Sequence, residues 1–328
     1  MASLHDVARL AGVSKSTVSR VINNEYGVKE ATKIKVRKAV EECGYVVNQV
    51  AKDLKSQKTN LIGVIVPRVS SHAISQGVDG LTAIIEQAGK HVLLANTHQV
   101  YEKEIEYIQI FNQKRVEGII LYATHFDAAL NKAIQQSNVP VVLVGQDGSL
   151  HNVPSVVHDD VRVGFEAGNR LVAAGCKQIG FIGVQGEDIA VDVQRSQGLK
   201  QSLDFHQQAL LFHARGDFSI ESGYQQAKEQ MEAYPHLDGL FCATDRIAVG
   251  AVKALREMGV KVGEQVRVLG VGNDELASIS IPSLSTFNYA FDKAGENAAK
   301  MLIERIEGRG KEMSKVVLTF QNIERESC

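Results

Sequence analysis

The chain has 328 residues, of which 44% are hydrophobic and 23% charged, so it is long and apolar enough to bury more than one core. This composition excludes a disordered chain, and four scattered cysteines without a C-x-x-C pair exclude a disulfide framework or a zinc ribbon. Because the sequence has no signal peptide and no apolar run of about 18 residues, we expect a cytoplasmic protein outside the membrane.

Charge is distributed unevenly along the chain. The first 58 residues hold eleven Lys or Arg against six Asp or Glu, so this basic head carries +5 while the whole chain carries −2. The remaining body therefore carries −7. A basic head predicts a polyanionic partner, and the acidic body predicts a separate task.

Residues 1–47 have the pattern of a three-helix helix-turn-helix domain. Ser3 begins a weak capping box ahead of a first helix over 4–11. Gly12 follows where a turn between two crossed helices needs positive φ. A third helix is predicted from its buried stripe, which consists of Val36, Ala39, Val40 and Cys43.

The second predicted helix, over 15–22 and capped by Ser14, separates polar from apolar side chains. One arc of this helix is entirely polar and consists of Lys15, Ser16, Ser19 and Arg20. The opposite arc packs inward and consists of Thr17, Val18, Val21 and Ile22. Because Lys and Arg can reach guanine edges in the major groove, we favour DNA reading by this helix over a merely solvated face.

Residues 48–59 are predicted to join head and body as a hinge helix. Val50, Ala51 and Leu54 share one helical side, but the stretch is too short to be stable alone in water. We expect it to order only against DNA or a second copy, with Leu54 wedged between base steps of the minor groove. A flexible tether is the alternative.

Residues 60–328 alternate short β-branched runs with amphipathic stretches. The predicted strands fall into two series, 61–67, 91–96, 118–123 and 139–145, followed by 178–184, 237–244 and 266–272. Such strands, separated by helices, indicate an α/β fold with two doubly wound parallel sheets, one in each of two lobes. Ligands of such sheets bind beyond the carboxyl ends of the strands, which predicts a cleft between the lobes.

The predicted strand ends carry polar residues but no catalytic set. These residues are Arg68, Ser71, His72, Gln146, Asp147, Asp192, Arg195, Asp245, Asn273 and Asp274. No nucleophile elbow, phosphate loop or dinucleotide-binding motif occurs, which argues against an enzyme. The run His158-Asp159-Asp160 is more simply a helix cap than a metal site, and Glu187-Asp188 an acidic loop. We therefore expect a cleft for a polyhydroxylated ligand, without metal or cofactor.

The head sequence LHDVARLAGVSKSTVSRVINN and the linker sequence NQVAKDLKS resemble those of the lactose-repressor (LacI/GalR) family of transcription regulators. The body matches through SHAISQ at 71–76, GDFSIESGY at 216–224 and FCATDRIAVGAVKAL at 241–255. The resemblance covers nearly the whole chain and implies a periplasmic-binding-protein-like body. Within the family the chain is most similar to sucrose operon repressors.

The resemblance implies roles on DNA for nine residues. Operator bases would be read by Lys15, Ser16 and Arg20. Phosphates of double-stranded operator DNA would be held by Ser14, Thr17, Ser19 and Asn23. The minor groove would be entered by Ala51 and Leu54.

For a small sugar effector, the resemblance carries over to residues on both sides of the cleft. They are Ser71, Ala73, Ile74, Arg195, Phe218, Thr244, Asp245 and Phe291, to which we add Asn273 from the strand ends. Arg195 is the strongest candidate, and a structural ion pair is its alternative. Core packing is the alternative for both phenylalanines.

Two departures from the family pattern bear on the effector. The strand over 141–144 is followed by Gly145-Gln146-Asp147, where an acid directly after the strand is common. The run 270–274, Gly-Val-Gly-Asn-Asp, lacks a carboxylate that many sugar-binding members carry, and together with Arg68 it resembles trehalose repressors, whose effector is a sugar phosphate. A phosphate needs a second cation in the cleft, however, and Gln146 stands where those relatives have arginine. A neutral sugar, sucrose or its fructose part, is therefore expected, with a sugar phosphate as the alternative.

The expected mechanism is a homodimer whose heads occupy two half-sites of a pseudo-palindrome and which a sugar releases by closing the cleft. The sequence has no leucine heptad after the body, which favours a dimer over a tetramer. A regulator that needs a corepressor is one alternative. A solute-binding protein and a sugar-converting enzyme are the others.

Overall fold

The computed structural model describes residues 2–23, 25–45, 59–185, 188–310 and 315–328. The chain divides into two compact units, a head at 1–58 and a body at 59–328. The hinge helix predicted over 48–59 lies outside the described residues except for Thr59, so it stays a prediction. No helix within these described ranges is long and apolar enough to cross a membrane.

Three helices form the head: α1 (Leu4–Ala11), α2 (Lys15–Ile22) and α3 (Glu30–Cys43). The predicted capping box forms at Ser3, and Gly12 turns the chain with a φ of 66°. The buried core of the head consists of Val7, Ala8, Val18, Val21, Val36 and Ala39. Because α2 contributes its apolar arc to this core, its polar arc is left toward solvent.

Lobe 1 of the body is built on a six-stranded parallel sheet. Its strands are β1 (Leu61–Val66), β2 (His91–Asn96), β3 (Gly118–Tyr122), β4 (Val141–Val144), β5 (Ser155–His158) and β11 (Lys315–Leu318). Their spatial order is β11-β5-β4-β3-β1-β2. Its helices are α4 (His72–Gln87), α5 (Tyr101–Gln113), α6 (Ala128–Gln135) and α12 (Phe291–Ile306). One core lies between the sheet and α4 with α12, and a second lies between the sheet and α5 with α6.

Lobe 2 repeats this plan with a second six-stranded sheet. Its strands are β6 (Ile179–Val184), β7 (Phe212–Gly216), β8 (Gly239–Cys242), β9 (Arg267–Val271), β10 (Ser285–Tyr289) and β12 (Phe320–Ile323). Their order is β12-β10-β9-β8-β6-β7, and only the pairing of β12 with β10 is antiparallel. Its helices are α7 (Asp160–Ala173), α8 (Arg195–Phe205), α9 (Ile220–Ala233), α10 (Asp245–Glu257) and α11 (Glu275–Ile279).

The predicted α/β fold with two doubly wound sheets is confirmed. All seven predicted strands are present, shortened at their ends by at most two residues. The sequence reading missed β5, β7, β10, β11 and β12. Of these, β7, β11 and β12 are edge strands of their sheets and each has exposed positions, so they lack a continuous buried apolar run. β5 and β10 are buried but begin with serine.

The chain passes between the lobes three times, at Asp159, Ala290 and Thr319. The first and third crossings run side by side, because the backbone nitrogen of Asp159 donates a hydrogen bond of 3.3 Å to the carbonyl oxygen of Leu318. Each lobe is therefore assembled from stretches that are far apart in the sequence.

Three pairs of helices pack backbone against backbone through facing glycines: α4 with α12, α7 with α8, and α9 with α10. A Cβ at Gly164 in α7 would collide with the carbonyl oxygen of Arg195, and one at Gly198 in α8 would collide with that of Val161. The glycines that make the other two contacts are Gly80 in α4 with Gly295 in α12, and Gly223 in α9 with Gly250 in α10. These close contacts fix the spacing of helices whose N-termini face the cleft.

Candidate functional site

The polar arc of α2 forms the first candidate site. Lys15, Ser16 and Arg20 are exposed, whereas Val18 is buried in the head. Arg20 Nε lies 4.0 Å from Glu25 Oε2, and both side chains are more than half exposed, so this ion pair is weak. The guanidinium of Arg20 is therefore available to an outside partner.

The hydroxyl and amide groups around α2 hold its ends. Ser14 Oγ accepts a hydrogen bond of 3.2 Å from the backbone nitrogen of Thr17 and lies 2.8 Å from the Ser16 hydroxyl oxygen. Asn23 Nδ2 donates to Ser19 Oγ at 3.3 Å. Every predicted DNA contact of the head thus lies on α2 or its caps, while Ala51 and Leu54 fall outside the described residues.

The second candidate site is the cleft between the lobes, at the carboxyl ends of the parallel strands. It contains two adjoining cavities of about 170 and 140 Å³. We name the larger the arginine cavity, after Arg68 and Arg246, and the smaller the histidine cavity, after His158. Their shared walls are formed by Pro67, Ala73, Ile74, Thr124, Asp188, Val191, Arg195 and Phe291.

Arg195 is held by a buried network at the lobe crossings. Its Nε donates to Asp160 Oδ1 at 2.7 Å, and its Nη1 donates to the carbonyl oxygen of Ala243. The hydroxyl of Tyr289 donates to the same Asp160 oxygen at 2.8 Å. The structural ion pair, which was the alternative for Arg195, is present, and the same side chain lines both cavities. Its role in effector binding stays a prediction.

His158 lies beside this network in the histidine cavity. Its ring stacks on that of Tyr289 with centroids 4.3 Å apart, and its Nε2 is buried without a hydrogen-bond partner in the described structure. Burial lowers the pKa of His158 to about 4 against the opposing charge of Asp160, so the ring is neutral at physiological pH. The Nε2 atom of a neutral imidazole in this wall can either donate a hydrogen bond to a ligand hydroxyl or accept one from it, depending on the tautomer.

Asp245 fastens three elements of lobe 2 at the edge of the arginine cavity. Its Oδ2 accepts from the backbone nitrogen of Asp274 at 2.7 Å, and its Oδ1 accepts from Thr286 Oγ1 at 2.5 Å. Burial raises the pKa of Asp245 to about 6, although these hydrogen bonds oppose the rise. Thr244 caps α10 by accepting from the backbone nitrogen of Ile247 at 3.4 Å.

Arg68 reaches across the mouth of the cleft from lobe 1 to lobe 2. Its Cζ lies 4.0 Å from the centroid of the Phe218 ring, a stacked cation–π contact. Burial, followed by the charge of Arg246, lowers the pKa of Arg68, and the charges of Asp188 and Asp217 oppose this effect. Two guanidinium groups therefore share one cavity wall.

Eight of the nine predicted effector residues line the arginine cavity: Ser71, Ala73, Ile74, Arg195, Phe218, Thr244, Asp245 and Phe291. Asn273 differs from the expectation. Its Oδ1 accepts a hydrogen bond of 2.7 Å from Arg325 Nη2, which turns the amide away from the cavity, and its neighbour Asp274 lines the wall instead.

Two other strand-end residues are engaged elsewhere. Asp192 accepts from His213 Nε2 and Arg215 Nε at 2.8 Å each, beside a separate surface of lobe 2. Asp147 pairs with Lys315 Nζ at 2.6 Å. Asp159 caps α7, as predicted for the run 158–160, and no cluster of three metal-binding side chains occurs in the described part of the chain.

Sequence reasoning missed two charged residues of the cleft. Asp188 was interpreted as part of an acidic loop, yet it lines both cavities, and burial raises its pKa to about 6. Arg246 was not singled out, although it directly follows the predicted site residue Asp245 in the first turn of α10. Its position next to a residue at a strand end could have indicated from the sequence that Arg246 lies in the cleft.

Comparison with known proteins gives consistent matches. Residues 3–48 match the model for bacterial regulatory proteins of the lacI family, and residues 169–328 match a periplasmic binding protein-like domain. The chain is 34% identical to the sucrose operon repressor of Staphylococcus xylosus, over 99% of this chain and 100% of that protein. It is 30% identical to the HTH-type transcriptional repressor PurR of Vibrio atlanticus, over 100% and 98%.

Solved structures match over the same length. A lac repressor dimer bound to operator and the anti-inducer ONPF superposes with a TM-score of 0.91 at 28% identity, covering 99% of this chain and 98% of that one. The complex of the transcriptional regulator CelR with cellobiose superposes with a TM-score of 0.76, also at 28% identity, covering both chains fully at 100%.

Proposed function

Because the chain belongs to the lacI family of bacterial regulatory proteins, and so is a DNA-binding transcriptional repressor and not an enzyme, we propose that a sugar in its cleft releases it from its operator. The operator would control a sugar-utilisation operon. The likeness to a sucrose operon repressor supports sucrose or its fructose part as the sugar unit.

The observation that carries the proposal is the lining of the cleft. Asp188 and Arg195 present a carboxylate and a guanidinium to both cavities, and the ring of Phe291 forms part of the shared wall. Carboxylates accept from sugar hydroxyls, guanidinium groups donate to them, and an aromatic ring packs on the apolar face of a sugar. The complex of the similar regulator CelR with cellobiose is in keeping with this assignment.

For the head, we assign base reading to Lys15, Ser16 and Arg20 and phosphate contacts to Ser14, Thr17, Ser19 and Asn23. The exposure of the polar arc of α2 supports this division. Ala51 and Leu54 keep their proposed place in the minor groove, on the hinge segment. A homodimer would place two such heads on successive half-sites.

Release follows if the sugar binds more tightly when the lobes are closed around it. In this proposal Arg195 contacts the sugar. Because Arg195 is hydrogen-bonded to Asp160, which directly follows the first crossing between the lobes, closure of the cleft would shift the segments that connect the lobes. The hinge segment would respond to this shift, and the DNA-bound form would become less favourable. The corresponding coupling is about 1–3 kcal/mol in typical allosteric proteins.

The test is operator binding by the full chain, followed by fluorescence anisotropy, with and without sucrose or fructose. A loss of operator affinity of roughly 5- to 150-fold at saturating sugar is expected. Tighter binding with sugar would instead assign a corepressor. Failure to distinguish a promoter fragment from random duplex under any of these conditions would refute the proposal.

A further inference from the structure

Two arginine side chains of the arginine cavity, Arg68 and Arg246, make no hydrogen bond or ion pair within the described structure. Both are only partly exposed. The carboxylates of the same cavity each accept at least one hydrogen bond from the protein. Asp188 accepts from the backbone nitrogen of Val191 at 3.0 Å, and Asp274 accepts from that of Leu276 at 3.0 Å.

None of the carboxylates of this cavity forms a contact ion pair with Arg68 or Arg246 in the described structure, although the charges of Asp188 and Asp217 act on Arg68. Asp245, the third carboxylate of the cavity, accepts from Asp274 N and Thr286 Oγ1. Asp217, whose charge also acts on Arg68, accepts from the backbone nitrogen of Ser219 at 2.7 Å. Two neighbouring cations that repel each other in a half-buried wall form a site for an anion.

Further donors open onto the same cavity. Ser71 is the N-cap of the 16-residue helix α4, yet its hydroxyl makes no capping hydrogen bond. The first turn of α4, through Ile74, lines the cavity, so the positive end of the helix dipole faces it. Nε2 of His72 is buried there without a partner in the described ranges. The Ser71 hydroxyl and the His72 ring can donate hydrogen bonds to the same anion as the arginine pair, and the positive end of α4 also attracts an anion.

We propose that the effector is a phosphate ester of a sugar, whose phosphate binds between Arg68 and Arg246 while its ring occupies the wall formed by Arg195 and Phe291. This inference rests on the proposed function. It also revises the expectation of a neutral sugar, which depended on the lack of a second cation. Arg246 supplies that cation from a position that no likeness to trehalose repressors pointed to.

The arrangement gives the phosphate a role in closing the cleft. Arg68 belongs to lobe 1, whereas Arg246 and the Phe218 ring belong to lobe 2. A phosphate held by both guanidinium groups therefore bridges the lobes. Stacking on Phe218 holds the planar Arg68 group in place, which favours two parallel hydrogen bonds to phosphate oxygens.

The experiment is calorimetric titration of the full chain with fructose, fructose 6-phosphate, sucrose, sucrose 6-phosphate and inorganic phosphate. The expected result is at least about tenfold tighter binding of a phosphorylated sugar than of its neutral parent. Inorganic phosphate should bind more weakly than the sugar phosphate, because it lacks the ring contacts. Phosphate binding as tightly as the ester would show a free-anion site and overturn the assignment.

Variants locate the phosphate. Arg246→Gln and Arg68→Gln should each reduce the preference for the phosphorylated sugar by about tenfold or more. Arg256→Gln is the matched control, because Arg256 is exposed on the same helix α10 and does not line the cavity. Arg246→Lys keeps the charge and should retain part of the preference, which covers the case in which the glutamine variant folds poorly.

Equal affinity for neutral and phosphorylated sugars, or equal loss of preference in the Arg256→Gln and Arg246→Gln variants, overturns the inference. Its failure is distinguishable from failure of the proposed function by operator binding in the same samples. Release by neutral sugar without a phosphate preference keeps the repressor proposal and refutes this one. A preference for the phosphorylated sugar without any change in operator affinity keeps the phosphate site and refutes the proposed release from the operator.

Discussion

At the scale of single residues, one oxygen of Asp160 accepts hydrogen bonds from both Arg195 and Tyr289. Asp160 follows the first crossing between the lobes, and Tyr289 precedes the second. All three side chains are buried, so the charge of Arg195 needs the carboxylate of Asp160 as its partner. The carboxylate thereby joins two crossings to a residue of the cleft.

Removing that carboxylate should destabilise the body severely. We expect Asp160→Ala to lower the free energy of unfolding by about 3–5 kcal/mol, because Arg195 is left buried and unpaired. Tyr289→Phe removes only one hydrogen bond and should cost about 1–3 kcal/mol. Urea unfolding followed by circular dichroism compares the two. A loss in Asp160→Ala no larger than in Tyr289→Phe would contradict this account of the ion pair.

Arg20 lies in the head, so we predict that its substitution affects DNA binding and leaves sugar binding unchanged. Arg20→Ala should lower specific operator affinity by roughly tenfold or more, because a base contact of this kind contributes about 1–3 kcal/mol. Arg20→Lys keeps the charge but not the forked geometry, so it should fall between the wild type and alanine. Anisotropy with operator and calorimetry with sugar measure both activities. A parallel loss of sugar affinity would indicate a folding defect.

Glu104 should make stability depend on pH. Burial raises its pKa to about 7, although hydrogen bonds from Thr124 oppose the rise. The folded state therefore binds a proton that the unfolded chain, with an ordinary pKa of 4.5, releases earlier. The free energy of unfolding should fall as pH rises from about 4.5 to 7 and change no further above that window, since both states are then ionised.

Glu104→Gln isolates this effect from Asp188 and Asp245, whose raised pKa values act in the same direction. The difference in unfolding free energy between wild type and variant should change by as much as about 3 kcal/mol across the window. Urea unfolding at several pH values measures it. Parallel profiles for the two proteins would show that Glu104 ionises normally.

The residues that sequence reasoning placed correctly in the cleft directly follow predicted strands or belong to family motifs. Those it missed depend on tertiary contacts. The partners of Asp160 lie 35 and 129 residues away along the chain, so only its local role beside a helix cap was visible. Asn273 was misplaced because its acceptor is taken by Arg325, which the sequence separates from it by 52 residues.

At the scale of elements, the glycine contacts between helices set the position of the cleft residues. Gly198→Ala should lower the free energy of unfolding by about 1–3 kcal/mol, because the added Cβ meets the Val161 carbonyl oxygen and forces α7 and α8 apart. The loss should occur even though alanine is the better helix former. Sugar affinity should fall as well, because Arg195 begins α8.

Lys200→Ala on the same helix is the control, because Lys200 is exposed and should change stability by less than about 0.5 kcal/mol. Thermal or urea unfolding of both variants, with calorimetry for the sugar, makes the comparison. An unchanged stability in Gly198→Ala would mean that the helices can separate without cost.

Element prediction from sequence succeeded where a pattern is local. The helix periods of the head and the continuous apolar runs of the central strands carry their own signal, as in β1 and β3. β12 has no such signal, because its outward residues are polar and its partner β10 lies more than thirty residues earlier. An edge strand forms because it pairs with a neighbouring strand that is distant in the sequence, so the residues of the edge strand alone do not reveal it.

At the scale of the whole molecule, any coupling between sugar binding by the body and operator binding by the head must be reciprocal. If the sugar weakens operator binding by a given factor, operator DNA must weaken sugar binding by the same factor. Calorimetric titration of the sugar into repressor alone and into the repressor–operator complex should therefore give dissociation constants that differ by roughly 5- to 150-fold. Identical constants would exclude allosteric release by that sugar.

The third crossing bears on how the protein is made. Residues 315–318 complete the sheet of lobe 1 and residues 320–323 complete that of lobe 2, while the buried Ser327 hydroxyl donates to the carbonyl oxygen of Val268. During synthesis, neither sheet can be completed before residues 315–323 have been added to the chain. The two lobes therefore complete their sheets in the same step of folding instead of one after the other.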